Sequence, residues 1–307
     1  MTTHVHTPDR LTRRSQAGDV VLVYVGAQAG RLRVFDPAVR RDEPDAVHQM
    51  RVTTRRLRAA LQAFPEVVPG TAHLLEELRW LGQVLGDARD AEVLDEYFQA
   101  ELAATPAELV IGPAQARVTA HFAPVQAAAR NAALAALDSP RYREILDDLD
   151  RLLEDPRPAG PAAAASADEA LPKAVAHAYR RTEHRMRRAR RTPEGAARDV
   201  ALHEARKAAK RARYAAEAVE PVFGKKARRL AKRMKAVQSV LGDHQDAVSA
   251  RGVAREIGVQ AHLAGENAFT FGLLNERAHR DALEYQRQAR KVWRQAARPR
   301  ARRWLRH

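Results

Sequence analysis

The segment Asp45 to Phe64, DAVHQMRVTTRRLRAALQAF, carries potential cations at a chemically informative spacing. Each residue of an α-helix advances ~100°. His48, Arg51, Arg55 and Arg58 therefore share one stripe, and Met50, Thr53, Leu57, Ala60, Leu61 and Phe64 share an opposed apolar one. The design returns at Val200 to Val219, VALHEARKAAKRARYAAEAV. There His203, Arg206, Lys210 and Arg213 form the stripe, Ala205, Ala208, Ala212, Ala216 and Val219 oppose it, and Lys207 and Arg211 widen the charged side. Guanidinium forks grip oxyanions through paired hydrogen bonds, and lysine adds a mobile point charge. The chemistry on offer is binding of an anion rich in oxygens.

Like charges at i,i+3 and i,i+4 cost a helix ~0.2–0.5 kcal/mol per pair. Arg51/Arg55 and Arg55/Arg58 are such pairs, with no acid between His48 and Arg58. A face meant only for solvent is better served by mixed signs, so the stripe reads as a polyanion-binding face. From His48 to Arg58 it runs ~15 Å along the helix axis, which suits a long anion better than a single phosphate. A histidine at its edge gains affinity for such a ligand when protonated.

The remaining chain must position these two helices. Its 307 residues suffice for a sizeable core, and plentiful Ala and Leu with few aromatics favour helices over strands. The net charge of +15 is unevenly spread. Residues 1–171 carry 19 Lys+Arg against 25 Asp+Glu, and residues 172–307 carry 34 against 13, so the second half is the strongly basic one. With no Cys there are neither disulfides nor thiolate metal sites. The N-terminus lacks the apolar stretch of a signal peptide, and no run approaches the ~20 apolar residues that span a bilayer. A cytoplasmic protein is expected.

Period-3.6 patterning predicts helices over about 16–35, 45–64, 71–86, 87–103, 114–137 and 139–153, then 171–191, 200–219, 225–241, 243–263 and 268–297. Gly86-Asp87 with Asp90, and Gly242-Asp243 with Asp246, read as helix stops followed by caps. Asp36-Pro37 lies in an expected loop. The stretch 155–170, rich in Pro and Ala, reads as a linker between a first bundle at 15–154 and a second at 171–298; 1–14 is expected to be a disordered lead and 299–307 a basic tail. No stretch alternates with period two for long, so the expected class is all-α: two four-helix-type bundles related by an internal pseudo-two-fold repeat. His48 and His203 are offset by 155 residues and the LGD triplets at Leu85 and Leu241 by 156, with Leu74/Leu230, Leu78/Met234, Leu81/Val237 and Val84/Val240 in step. Packed about such an axis, the two stripes converge on one groove.

Four separated motifs, HxxRxxxRRxR at His48–Arg58, LRWLGQVLGDARDAEVL at Leu78–Leu94, LHEARKAAKRARYAAE at Leu202–Glu217 and LGDHQDA at Leu241–Ala247, resemble the CHAD family, the conserved-histidine α-helical domain, over about residues 15–297. The resemblance implies two pseudo-symmetric four-helix bundles and binding of inorganic polyphosphate in a basic central groove. It assigns contacts to His48, Arg51, Arg55 and Arg58 and to His203, Arg206, Lys210 and Arg213, with Arg56, Lys207 and Arg211 beside them. Lys225, Arg229, Lys232 and Lys235 join on charge alone. Leu75, Glu76 and Arg79 stand where the second copy has Ala231, Lys232 and Lys235, so the first bundle's third helix is expected to bind less. The ExExK strand of the triphosphate-tunnel enzymes fused to many CHAD domains is absent. A stand-alone, non-catalytic binder or granule-targeting module, acting without a cofactor, is the implied function.

The rival ligand is a nucleic-acid backbone, but few aromatics flank the motifs and no recognition motif occurs. A polyphosphate-metabolising enzyme, or its accessory subunit, is a second alternative; Ser239 lacks a triad context, and no glycine-rich phosphate loop is present. A metal at His48 and His203 is opposed by the surrounding cations. The amphipathic faces are those the bundles must bury, which argues against a membrane surface.

Overall fold

The structure, a computed structural model, describes residues 11–154 and 160–305. It is all-α. Among the described residues the only β contact is an isolated bridge between Gln16 and Ser166. In chain order the helices are α1 (Ala17–Arg40), α2 (Ala46–Ala63), α3 (Ala72–Ala103), α4 (Ala114–Asp138), α5 (Pro140–Glu154), the short α6 (Pro161–Ala164), α7 (Ala167–Arg191), α8 (Ala196–Ala218), the short α9 (Glu220–Phe223), α10 (Lys225–Leu263) and α11 (Phe269–Ala296). Helices α1 to α4 pack in succession, as do α7, α8, α10 and α11, while α5 returns against α1 and α3.

The two featured helices are α2 and α8. Leu57, Ala60 and Leu61 of α2 are fully buried, as are Ala205, Ala209, Ala212, Ala215 and Ala216 of α8. These small side chains let α8 approach α2, its contact across the two halves. In α2 the Thr53 and Thr54 hydroxyls donate to the carbonyls of Gln49 and Met50 at 2.9 Å, so neither leaves an unpaired polar group in the core.

Helix boundaries differ from expectation in three places. Helix α1 runs through Asp36-Pro37 to Arg40. A proline is costly in a helix interior but sits here in the last turn. That turn is tied down by Arg40, which donates to Asp36 at 2.5 Å and to the Leu137 carbonyl at 2.9 Å. Helices α3 and α10 do not stop at Gly86 and Gly242 but continue to Ala103 and Leu263. Asp87, Asp90, Asp243 and Asp246 are therefore mid-helix residues and not caps. Finally, residues 155–159 of the expected linker lie outside the described residues, and its remainder is packed. Ala163 and Ala167 are buried, the Ala17 amide donates to the Ala165 carbonyl and the Ala167 amide to that of Ser15, both at 2.9 Å.

The described residues nearest the two ends are packed as well. Of the expected lead, residues 1–10 lie outside the described residues. Leu11 packs on the core and Thr12–Ser15 form a hydrogen-bonded turn. Of the expected tail, 299–305 fold into two 3₁₀ turns that bury Trp304 and Leu305, Trp304 lying 5.1 Å from the Phe223 ring.

The main apolar core draws on both halves, from Leu32, Leu57 and Leu81 to Leu171, Leu230 and Met234. A second cluster joins Phe98 and Phe122 to Ile257, Phe271 and Leu274 at the far ends of α3 and α10. Polar ties reinforce it: the Ile111 amide donates to Thr270 Oγ1 at 2.8 Å, and the Arg117 fork grips Glu266 at 2.6 and 2.7 Å.

Candidate anion-binding site

Where α2 meets α8 the stripes come together. Arg51 and Arg55 of α2 lie in the field of Arg206 and Lys210 of α8. Burial first, then Arg55, Arg206 and Arg51, push the Lys210 ammonium from its ordinary 10.5 down to about 6, against the opposing pull of Asp90. Arg55 is also lowered, by burial first and then by Arg51 and Arg206. Lys210 and Arg55, buried among like charges with Asp90 as the opposing carboxylate, are poorly placed for a resting surface and well placed to receive an anion.

Two glycines shape the cluster. A Cβ placed on Gly86 would lie 3.5 Å from Arg51 Nη2, and one on Gly242 would lie 3.5 Å from Arg206 Nε. Each guanidinium thus rests on a bare stretch of helix, where any side chain longer than alanine would collide. Arg51 is further held by Asp90, at 2.9 and 3.4 Å. Arg206 makes no ion pair among the described residues, although Asp243 and Asp246 lie in its field; burial raises both carboxyls, and Arg206 opposes the rise.

The hydrogen-bond inventory is incomplete in one direction. The Nε atoms of Arg51, Arg55, Arg89 and Arg206 are buried without a partner, as is His48 Nδ1. Every arginine nitrogen is a donor, so what the four arginines lack is acceptors. Buried polar groups are rarely left this way.

The histidines are not equivalent. His203 Nδ1–H donates to Gln245 Oε1 at 2.7 Å, and the Gln245 amide donates to Ser249 Oγ at 3.4 Å, which leaves His203 Nε2 free for a ligand. His48 has Arg89 beside it, whereas His203 has Gln245. Burial lowers its imidazole first, Asp45 opposes, and Arg89, Arg55 and Arg51 lower it further. Arg89 itself is fixed by Glu92 and Glu96 at 3.0 and 3.1 Å.

A second band of cations continues from the first. Arg58 lies beside Arg79, and Arg211 beside Arg181, Arg58 and Arg185; burial is the leading cause that lowers both Arg58 and Arg211. The remaining expected residues are placed otherwise. Arg56 and Arg213 share Glu217, at 3.3 and 2.6 Å, and flank the Tyr214 ring at 5.9 and 5.1 Å. They fasten α2 to α8 and are not part of the unpaired cluster. Lys207 is exposed and paired with Glu204 at 2.6 Å. Lys225, Lys232 and Lys235 are exposed on α10, while Arg229 lines a separate cavity with the C-terminal turns.

Arg89, Arg181, Arg185, Asp90 and Asp246 were not foreseen as part of this site. The signals were present: a basic helix at 171–191, and acids recurring at equivalent places after each glycine. Among the described residues no group of three or more His, Asp or Glu could hold a metal ion, and no helix is long and apolar enough to cross a membrane.

Comparison with known proteins agrees with this architecture. The family model described as CHAD domain matches residues 23–255. Two uncharacterized proteins of Mycobacterium tuberculosis, MT2285 of strain CDC 1551 and Rv2226 of strain H37Rv, are each 40% identical over 255 residues, covering 81% of this chain. The chain spans only 48% of the length of each. PptA from Streptomyces chartreusis shares the fold with a TM-score of 0.75 at 22% identity, over 91% of this chain and 100% of its own. The CHAD domain from the plant Ricinus communis gives 0.66 at 27%, over 99% and 96%. By its motifs, its fold and this family match, the chain belongs to the CHAD domain family.

Proposed function

We propose that the chain binds inorganic polyphosphate along the joint face of α2 and α8, without catalysing its turnover. The observation that carries the reading is the set of buried, partnerless donors on Arg51, Arg55 and Arg206 around Lys210. A phosphate chain supplies acceptors at every unit, and its charge restores the ammonium of Lys210. Arg58, Arg79, Arg181, Arg185 and Arg211 extend the track, and His48 and His203 flank it. The pseudo-two-fold repeat belongs to the same proposal. It is supported by the recurrence of one unit, an arginine seated on a helix glycine, as Arg51 on Gly86 and Arg206 on Gly242.

In the cell this function places the protein in the cytoplasm at polyphosphate granules. A fluorescent fusion is expected to form foci that vanish in cells lacking polyphosphate; foci that persist there contradict the placement. Competition tests the ligand itself. Long-chain polyphosphate is expected to displace duplex DNA and RNA at equal phosphate concentration, whereas displacement of polyphosphate by either nucleic acid overturns the reading. Affinity falls with salt in both cases, so salt dependence alone does not separate them.

A further inference from the structure

A second concentration of positive charge lies where the start of α10 meets the C-terminal turns. Lys226, Arg229 and Arg233 from α10 and Arg300, Arg303 and Trp304 from the turns line a cavity of about 610 Å³. None of these five cations forms an ion pair among the described residues. Two acids of adjoining segments are already engaged, Glu220 by Arg228 at 2.6 Å and Glu183 by Arg302 at 3.3 Å. The wall is firmly built: Trp304 is 7% exposed and packs on Phe223, and Arg302 lies 5.4 Å from the Tyr179 ring centroid.

Two lining groups are buried donors without a partner, Arg233 Nη1 and Trp304 Nε1. Five like charges around one cavity, with no ion pair among the described residues, repel one another unless an anion sits among them. A surface kept only for solubility mixes its signs. Arginine forks favour phosphate oxygens, and the indole N–H can add a single bond. The indole is buried and packs on Phe223, so the cations dominate recognition at this cavity.

From these observations we infer that this cavity is a second anion site, which takes a compact di- or triphosphate group independently of the α2–α8 face. Its occupant is recognised by phosphate oxygens alone. Inorganic tripolyphosphate and ATP therefore bind it comparably, and orthophosphate at least about tenfold more weakly because it offers fewer oxygens and less charge.

The test uses the full chain with Trp80→Phe and Trp293→Phe, which leaves Trp304 as the sole indole of the three, in a background carrying Arg55→Ala and Lys210→Ala. Titration with tripolyphosphate is expected to change Trp304 emission saturably. Arg303→Ala, at an exposed position, and Arg233→Ala are each expected to weaken that response at least about tenfold. An absent response, one indifferent to both arginine substitutions, or ATP binding more than about tenfold tighter than tripolyphosphate overturns the inference. If the response exists in the parent but disappears with Arg55→Ala and Lys210→Ala, the cavity is not a separate site, while polyphosphate binding at the α2–α8 face stands.

Discussion

Lys210 concentrates the chemistry of the proposed site in one side chain. Its ammonium titrates at about 6 in the free protein against 10.5 ordinarily. Between those values the unfolded chain holds a proton that the folded chain does not, so this residue makes the free protein more stable as pH rises from 6 toward 10. Below 6 both states are protonated and the contribution is constant. A bound polyanion favours the charged form, so binding takes up a proton. Polyphosphate affinity is expected to rise as pH falls toward 6, and calorimetry in buffers of different ionisation enthalpy is expected to show proton uptake at pH 7. His48, also depressed, extends the rise at more acidic pH. Lys210→Met isolates the two effects: the free protein melts at a higher temperature, binding weakens several-fold, and only the acidic limb of the pH profile remains. A profile unchanged by Lys210→Met contradicts this role.

Among the elements, α2 and α8 were the most legible from sequence and their neighbours the least. The cation stripe and the apolar face of each follow from periodicity alone, because a helix wheel depends on nothing outside the helix. Continuity of α3 and α10 through Gly86 and Gly242 could not be read the same way. A glycine followed by aspartate is a good local stop signal, and the guanidinium that occupies the space above it comes from another helix. Helical spacing puts Arg213 on the cation stripe but is silent on its partner, and the pairing of Arg213 and Arg56 with Glu217 is seen only in the fold. Glu217 sits four residues after Arg213, but its capture of Arg56 across the α2–α8 junction is tertiary. Gly242→Ala is expected to stabilise α10 by up to ~1 kcal/mol and keep Arg206 in place, since its Cβ meets the guanidinium at ordinary contact distance. Gly242→Leu is expected to expel Arg206 and weaken polyphosphate binding; equal binding by both variants contradicts the seating. Glu217→Gln leaves two half-buried arginines unpaired and is expected to cost ~1–3 kcal/mol in chemical denaturation with little effect on affinity.

At the scale of the molecule, charge and core are arranged differently. The sequence separates an acidic first half from a basic second half, whereas the apolar core runs through both and is closed at the far end by Phe98, Phe122, Ile257 and Phe271. A boundary read from a Pro- and Ala-rich stretch marks where composition changes, not where packing ends, since Ala163 and Ala167 are buried against the start of α1. The chain is therefore expected to unfold in a single cooperative transition by circular dichroism and by tryptophan fluorescence. Residues 11–154 alone are expected to lack stable tertiary structure. Two separated transitions would show instead that each half is self-sufficient.

The proposed binding face draws on both halves, Arg51 and Arg55 from one and Arg206 and Lys210 from the other. Binding of sized polyphosphate to the parent protein and to Arg55→Ala with Lys210→Ala tests that most directly. The double variant is expected to retain the parent's helical content and lose at least about tenfold in affinity, since two charge-assisted contacts are removed. Unchanged affinity in a folded double variant contradicts a site at the junction of α2 and α8.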